Sequence, residues 1–258
     1  VGSGEPVKSP IEKLNPLTKM LAIFCLGLAT LIYPNSWLGL GIVIVLFGVA
    51  GIAHILTSFA KTIFGFGIPI SLMLFFIQGL YSPKNKTIIA DLGFAKLGEE
   101  GLLYAAKIVI TLLVFLATFY IMNQTTYAGK MVAALTRSGI NPQVGYLILA
   151  SLNVVPQMHR RLDIIKEAQE ARGVETTGGL WARLKAYVPL MGPVVMSSLT
   201  DAQERGMTLE TRGFANTNVK RTSYIEVTTS KADTYLRAGL IIFLVAVIII
   251  SIWMRWAQ

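Results

Sequence analysis

The chain has 258 residues, 53% of them hydrophobic and only 14% charged, with a formal net charge of +9. A charged share so far below the quarter usual in soluble domains excludes an ordinary soluble globule and points to an integral membrane protein. The basic residues are spread among apolar spans with acids between them. This excludes a dense nucleic-acid patch and fits the cytoplasmic bias of Lys and Arg.

The leading Val-Gly-Ser-Gly reads as an appended remnant, and no cleavable signal peptide is evident before the first apolar run. Lys8, Lys13 and Lys19 stand against Glu5 and Glu12, and Asn15-Pro16-Leu17 marks a helix start. Met20 to Ala60 carries no Asp, Glu, Lys or Arg; Tyr33-Pro34-Asn35-Ser36 divides this run into two helices, ended by Lys61. Cys25 is the only cysteine, so no internal disulfide or thiolate metal cluster can form. His54, near a span end, is expected to be a polar packing or interface residue.

Thr62 to Tyr81 predicts a third span, with Gly65, Gly67 and Pro69 allowing close packing or a kink. A charge-balanced loop over 82–100 follows, with Lys84, Lys86 and Lys96 against Asp91, Glu99 and Glu100. Leu102 to Met122 predicts a fourth span, with Lys107 snorkelling near one end. From Asn123 to Thr234 there are thirteen Lys or Arg residues and nine acids. Here Lys130 to Leu135 has a short helical pattern. Val144–Val155 and Leu184–Leu199, the latter holding Pro189 and Pro193, are too short for spans and suit interfacial or buried helices. Ala238 to Met254 is a fifth span between Arg237 and Arg255, with Trp253 and Trp256 as interface anchors.

These elements predict an all-α integral membrane protein with about five transmembrane helices and a cytoplasmic helical domain. The expected divisions are 1–122, 123–234 and 235–258. The positive-inside tendency puts the N-terminus and 123–234 in the cytoplasm and the C-terminus outside.

The stretch Pro156 to Gly173, PQMHRRLDIIKEAQEARG, is charged and helical. Met158, Leu162 and Ile165 share one stripe, with Arg160, Arg161, Lys166, Glu167 and Glu170 off it. Asp163 is expected to interact locally with Arg160 or Glu167 on a solvated surface. Arg172 lies in the last turn, and Gly173 is placed for a left-handed cap. Forty positions on, the pattern returns. Val194-Val195 echoes Val154-Val155, Glu210-Thr-Arg-Gly213 echoes Glu170-Ala-Arg-Gly173, and Leu199, Ala202 and Leu209 keep helical spacing.

No HExxH, GxSxG, CxxC or GxxxxGK[ST] occurs, His54 and His159 are the only histidines, and no acid sits in mid-span. Catalytic residues and metal ligands are therefore not expected. What remains is an apolar body and two arginines on helix tips, each a rigid fork suited to a partner's carboxylate or carbonyl oxygens.

Asn123 to Glu175 resembles the energy-coupling-factor transporter T component, the CbiQ-like transmembrane family. Pro142, Pro156 and Ala168-Gln-Glu-Ala-Arg-Gly173 carry the likeness to its first signature, and Glu210-Thr-Arg-Gly213 to the second, with Thr211 where Ala is usual. Asn15-Pro16-Leu17-Thr18-Lys19 resembles the N-terminal lead-in, and Glu100-Gly101-Leu102 the opening of the fourth membrane helix. The resemblance implies a non-catalytic coupling subunit of the prokaryotic plasma membrane, in which 123–234 is the coupling domain. Its expected partners are the bilayer, two cytoplasmic ATP-binding-cassette subunits forming a heterodimer, and a small membrane S component that captures a vitamin. The alternative cargo is cobalt or nickel.

ATP and Mg would be held by the ATPases, leaving this chain without a cofactor. Arg172 and Arg212 would each dock on one ATPase. Ala171, Gly173, Thr211 and Gly213 would keep the tips slim, supported by Glu170 and Glu210. A different class of reading is a stand-alone membrane enzyme or channel using His54 or the Gly-rich third span.

Overall fold

A computed structural model of the chain describes residues 9–33, 35–81, 88–91, 96–173, 179–214, 216 and 229–256. The readings for 1–4, Glu5, Lys8, Pro34, Lys84 and Lys86 lie outside them.

Helix α1 (Pro16–Ile32) begins where Asn15 accepts the Leu17 N–H at 2.9 Å and Pro16 occupies the first helical position. Helix α2 (Ser36–Ile52) is capped in the same way by Asn35. The chain then turns through His54, whose φ of 58° is in the left-handed region, into α3 (Leu56–Tyr81). The break therefore falls at 53–55 rather than at Lys61, which lies inside α3. A lone cation does not stop a helix, whereas a left-handed residue does. Within the stretch read as a loop, β1 (Ile88–Asp91) pairs antiparallel with β2 (Lys96–Gly98). Then come α4 (Glu99–Thr125), α5 (Ala128–Arg137), α6 (Pro142–Glu170), α7 (Leu180–Thr211) and α8 (Lys231–Trp256).

Helices α3, α4 and α8 are long and apolar enough to cross a membrane. Apolar α1 and α2, at 17 residues each, stand at the lower end of the spanning range. The chain is an all-α, multi-pass integral membrane protein apart from the small hairpin.

It divides into two compact units, 1–134 with 226–258, and 135–225. In the first, α4 is the hub against which α1, α2 and α3 all pack. One stretch of α4 enters glycine notches on each neighbour: Phe115 at Gly27, Ile110 at Gly39 and Leu113 at Gly67. A Cβ at any of these glycines would overlap the incoming side chain. In lipid, where apolar area alone gives no drive to associate, such close approach supplies the dispersion contacts that hold helices together. Gly65, read with Gly67 as a packing site, faces open space. The central cluster is Ile42, Leu46, Ala50, Phe59, Ile63, Val114, Ala117 and Ile121, with Phe47 edge-on to the fully buried Phe59.

Polar side chains fasten one end of this unit. Lys19 Nζ donates to the Thr125 carbonyl at 2.8 Å and to the Thr125 and Thr126 hydroxyls at 3.0 Å each. Asp233 is fully buried. Its Oδ1 accepts from Asn15 N at 2.8 Å and Thr18 Oγ1 at 3.1 Å, and its Oδ2 from Ser230 N at 3.0 Å. Arg237 Nε donates to Thr18 Oγ1 at 2.8 Å, and at the other end Ser251 Oγ donates to the Ile32 carbonyl at 3.1 Å. Helices α1 and α8 thus run parallel. The start of α1, the end of α4 and the start of α8 meet at one end of the unit.

In the second unit the two proline-containing helices are continuous. The charged stretch does not begin at Pro156, because α6 runs through it from Pro142 and joins the apolar 144–155 to the charged arm. Helix α7 likewise runs through Pro189 and Pro193. Each proline removes one backbone hydrogen bond, which a long helix with favourable flanks tolerates. Much of the apolar halves is exposed, including Leu147, Leu152 and Val155 on α6 and Val188, Met191 and Met196 on α7, while Leu190 and Val194 on α7 are buried.

Two arginine tips on an antiparallel helix pair

As the contact residue on α6 advances, its partner on α7 recedes. Gln143 Nε2 donates to the Phe214 carbonyl at 3.4 Å, and the rings of Tyr146 and Phe214 lie 4.9 Å apart. Further along, Arg205 donates to Gln157, and Arg161 Nη2 meets Asp201 Oδ2 at 2.5 Å. The two helices are therefore antiparallel, and the two charged arms meet each other at Gln157–Arg205 and Arg161–Asp201. Arg172 lies eleven residues beyond Arg161, and Arg212 eleven beyond Asp201, in opposite directions. At 1.5 Å per residue each tip projects roughly 16 Å from the ion pair, setting the tips on the order of 30 Å apart.

Both ends have the chemistry expected of them. Gly173 and Gly213 take φ of +88° and +68°. The Gly173 N–H reaches the Glu170 carbonyl at 2.9 Å, and the Gly213 N–H reaches that of Glu210 at the same distance. At the second tip Phe214 N also donates to the Leu209 carbonyl at 2.9 Å, completing a Schellman closure. Among the described residues, nothing lies within 4 Å of where a Cβ would stand on either glycine. Ala171, Arg172, Gly173, Thr211, Arg212 and Gly213 are all exposed, and among the described residues neither guanidinium has a partner. Thr211 donates its hydroxyl to the Thr208 carbonyl at 3.0 Å, so the hydroxyl is satisfied on its own helix. Glu170 and Glu210 are exposed, Glu170 lying 3.8 Å from Lys166.

The structure thus forms two equivalent tips and keeps them apart. His54 is exposed on a turn of the other unit. Three readings change. Arg161 is half-buried on the inter-helix face, off the stripe of Met158, Leu162 and Ile165 that the spacing predicts. On α7 the contact stripe is Ser198, Asp201, Arg205 and Leu209, while Leu199 and Ala202 are exposed. Asp163 is exposed, as expected of a solvated surface, but among the described residues the charge pairing of the arm runs from Arg161 to the opposite helix and from Lys166 to Glu170, not through Asp163. The forty-residue repeat held the missing signal, since it sets Arg161 and Asp201, opposite charges, at equivalent positions.

A family model described as CbiQ, cobalt transport protein, matches residues 7–224. The chain belongs to this family. This CbiQ-family chain is 26% identical over 260 residues to the energy-coupling factor transporter transmembrane protein EcfT of Lactococcus lactis subsp. cremoris (strain MG1363), covering 95% of each. It is 27% identical over 257 residues to the protein of the same name from Bacillus subtilis (strain 168), covering 94% of each. A third relative so named, from Leuconostoc gelidum subsp. gasicomitatum, is 26% identical over 269 residues, covering 99% of this chain and 98% of its own.

Proposed function

We propose that this CbiQ-family chain is the transmembrane coupling subunit of an energy-coupling-factor importer. It transmits ATP-driven motion from two cytoplasmic ATP-binding-cassette subunits to a small membrane S component. The observation that carries the reading is the pair of equivalent, exposed arginine tips at opposite ends of one antiparallel helix pair. Each guanidinium is free to fork onto acidic groups of an ATPase groove. The slim closure by Gly173 and Gly213 lets a helix end enter such a groove. Two tips pointing apart suit two subunits, which we take to be a heterodimer.

The chain itself is a non-catalytic component, in keeping with the names of its relatives as transporter membrane proteins. ATP and Mg belong to the partner ATPases. Residues 123–234 form the coupling region on the cytoplasmic face, with the N-terminus on the same side and the C-terminus outside. The start of α1, the end of α4 and the start of α8 share one end of the membrane unit, which supports that arrangement. The cargo is a vitamin held by the S component; the alternative is nickel or cobalt, of which the family description names cobalt.

Arg172→Glu with Arg212→Glu tests the coupling. Both side chains are exposed and have no partner among the described residues, so the double variant should insert and fold as the parent does. Each reversal should remove a charge-assisted contact worth about 1.5–3 kcal/mol. Loss of ATPase co-purification and of ATP-driven uptake is expected. Normal uptake by the double variant refutes the proposal.

A further inference from the structure

The forty-residue repeat is also a spatial symmetry. Residues 161 and 201 are equivalent in the two copies, and they touch. Residues 158 and 198 are equivalent too, and Ser198 Oγ lies 3.7 Å from Met158 Sδ. In a pair related by a two-fold axis, a residue meets its own equivalent only beside that axis. Exposure follows the same symmetry: from 157–170 against 197–210, every position is half-buried or exposed alike, apart from Leu162 against Ala202. The half-buried positions 157, 161, 165 and 169 recur as 197, 201, 205 and 209, forming one stripe on each helix.

At the symmetry point stands the Arg161–Asp201 ion pair, its side chains 26% and 35% exposed, flanked by the Arg205 to Gln157 hydrogen bond. We propose that Arg161 and Asp201 are positioning residues. They form the pivot at which the arms cross and fix the separation of the Arg172 and Arg212 tips, so that movement of one ATPase subunit is passed to the other arm instead of being absorbed by slip between the helices. This rests on the coupling function proposed above. Touching neither tip, the pair acts on the efficiency of coupling and not on docking. A charge at each equivalent position suits the role: a reversed pair is as good as the native one, and a single reversal places like charges on the axis.

The test uses the complex with its ATPases and S component, reconstituted in phosphatidylethanolamine–phosphatidylglycerol vesicles. Spin labels are placed at Ala168→Cys and Thr208→Cys, equivalent exposed positions near the two tips, on a Cys25→Ser background. Arg161→Asp and Asp201→Arg alone should broaden the label-to-label distance distribution. They should lower uptake per ATP hydrolysed by about tenfold while the ATPases still co-purify. The exchanged pair, Arg161→Asp with Asp201→Arg, should restore both. Asp201→Asn, which keeps the volume, should reproduce the loss where a reversed charge lowers yield. Unchanged distances and unchanged uptake per ATP in the single variants, or no recovery in the exchanged pair, overturn the pivot. Failure of the parent chain to hold its ATPases overturns the coupling reading itself, an outcome seen in the co-purification alone.

Discussion

Asp233 gives the sharpest test of how the membrane unit is held. Its carboxylate is fully buried between the starts of α1 and α8, where both helix dipoles favour an anion. Replacing it by alanine orphans the Asn15 N–H and the Thr18 hydroxyl, both on residues 5% exposed or less, at about 1–3 kcal/mol each. The Ser230 N–H, on an exposed residue, turns to water and costs about 1 kcal/mol or less. The sum is about 4 kcal/mol for Asp233→Ala. Asp233→Asn keeps one oxygen for Asn15 and Thr18 and sacrifices only the bond to Ser230, about 1 kcal/mol.

The assay is thermal denaturation of the purified full chain in lipid nanodiscs. The midpoint should fall on the order of 10 °C for alanine and about 3 °C for asparagine. If the two variants melt together within error of the parent, the buried carboxylate is not what ties α1 to α8.

Gly173→Ala and Gly213→Ala should each cost about 1–2 kcal/mol through their positive φ alone, since no described residue crowds either. Gly206→Ala, inside α7 with nothing within 4 Å, should stabilise by about 0.5–1 kcal/mol; chemical denaturation of the three variants reads the opposite signs. His54→Gly should relieve left-handed strain of about 1 kcal/mol and leave uptake unchanged, whereas a site built on the imidazole would lose activity. Thr211→Ala should change ATPase retention and stability by less than about 0.5 kcal/mol, measured by pull-down and melting, because its hydroxyl is satisfied within its own helix.

The sequence by itself determined the membrane class, the apolar helices and the two tips, because those properties are local. Uncharged stretches of spanning length, Asn15 before Pro16, and Arg followed by Gly each carry their meaning within a few residues. It misplaced the α2–α3 break because an apolar run offers no polarity change to mark a turn, and the left-handed residue proved to be a histidine instead of a glycine. It split α6 at Pro156 because proline weakens a helix locally, whereas flanks on both sides decide whether the helix continues.

Only the tertiary structure decided the rest. Ser230-x-x-Asp233 is a capping pattern in any chain, but nothing in it says that the second oxygen reaches Asn15, 218 residues away in sequence. The repeat announced two similar arms without saying whether they lie parallel or opposed. Their direction comes from which side chains meet across the pair, Tyr146 with Phe214 and Arg161 with Asp201. Such encounters depend on packing summed over both helices, a non-local quantity that no window of sequence contains.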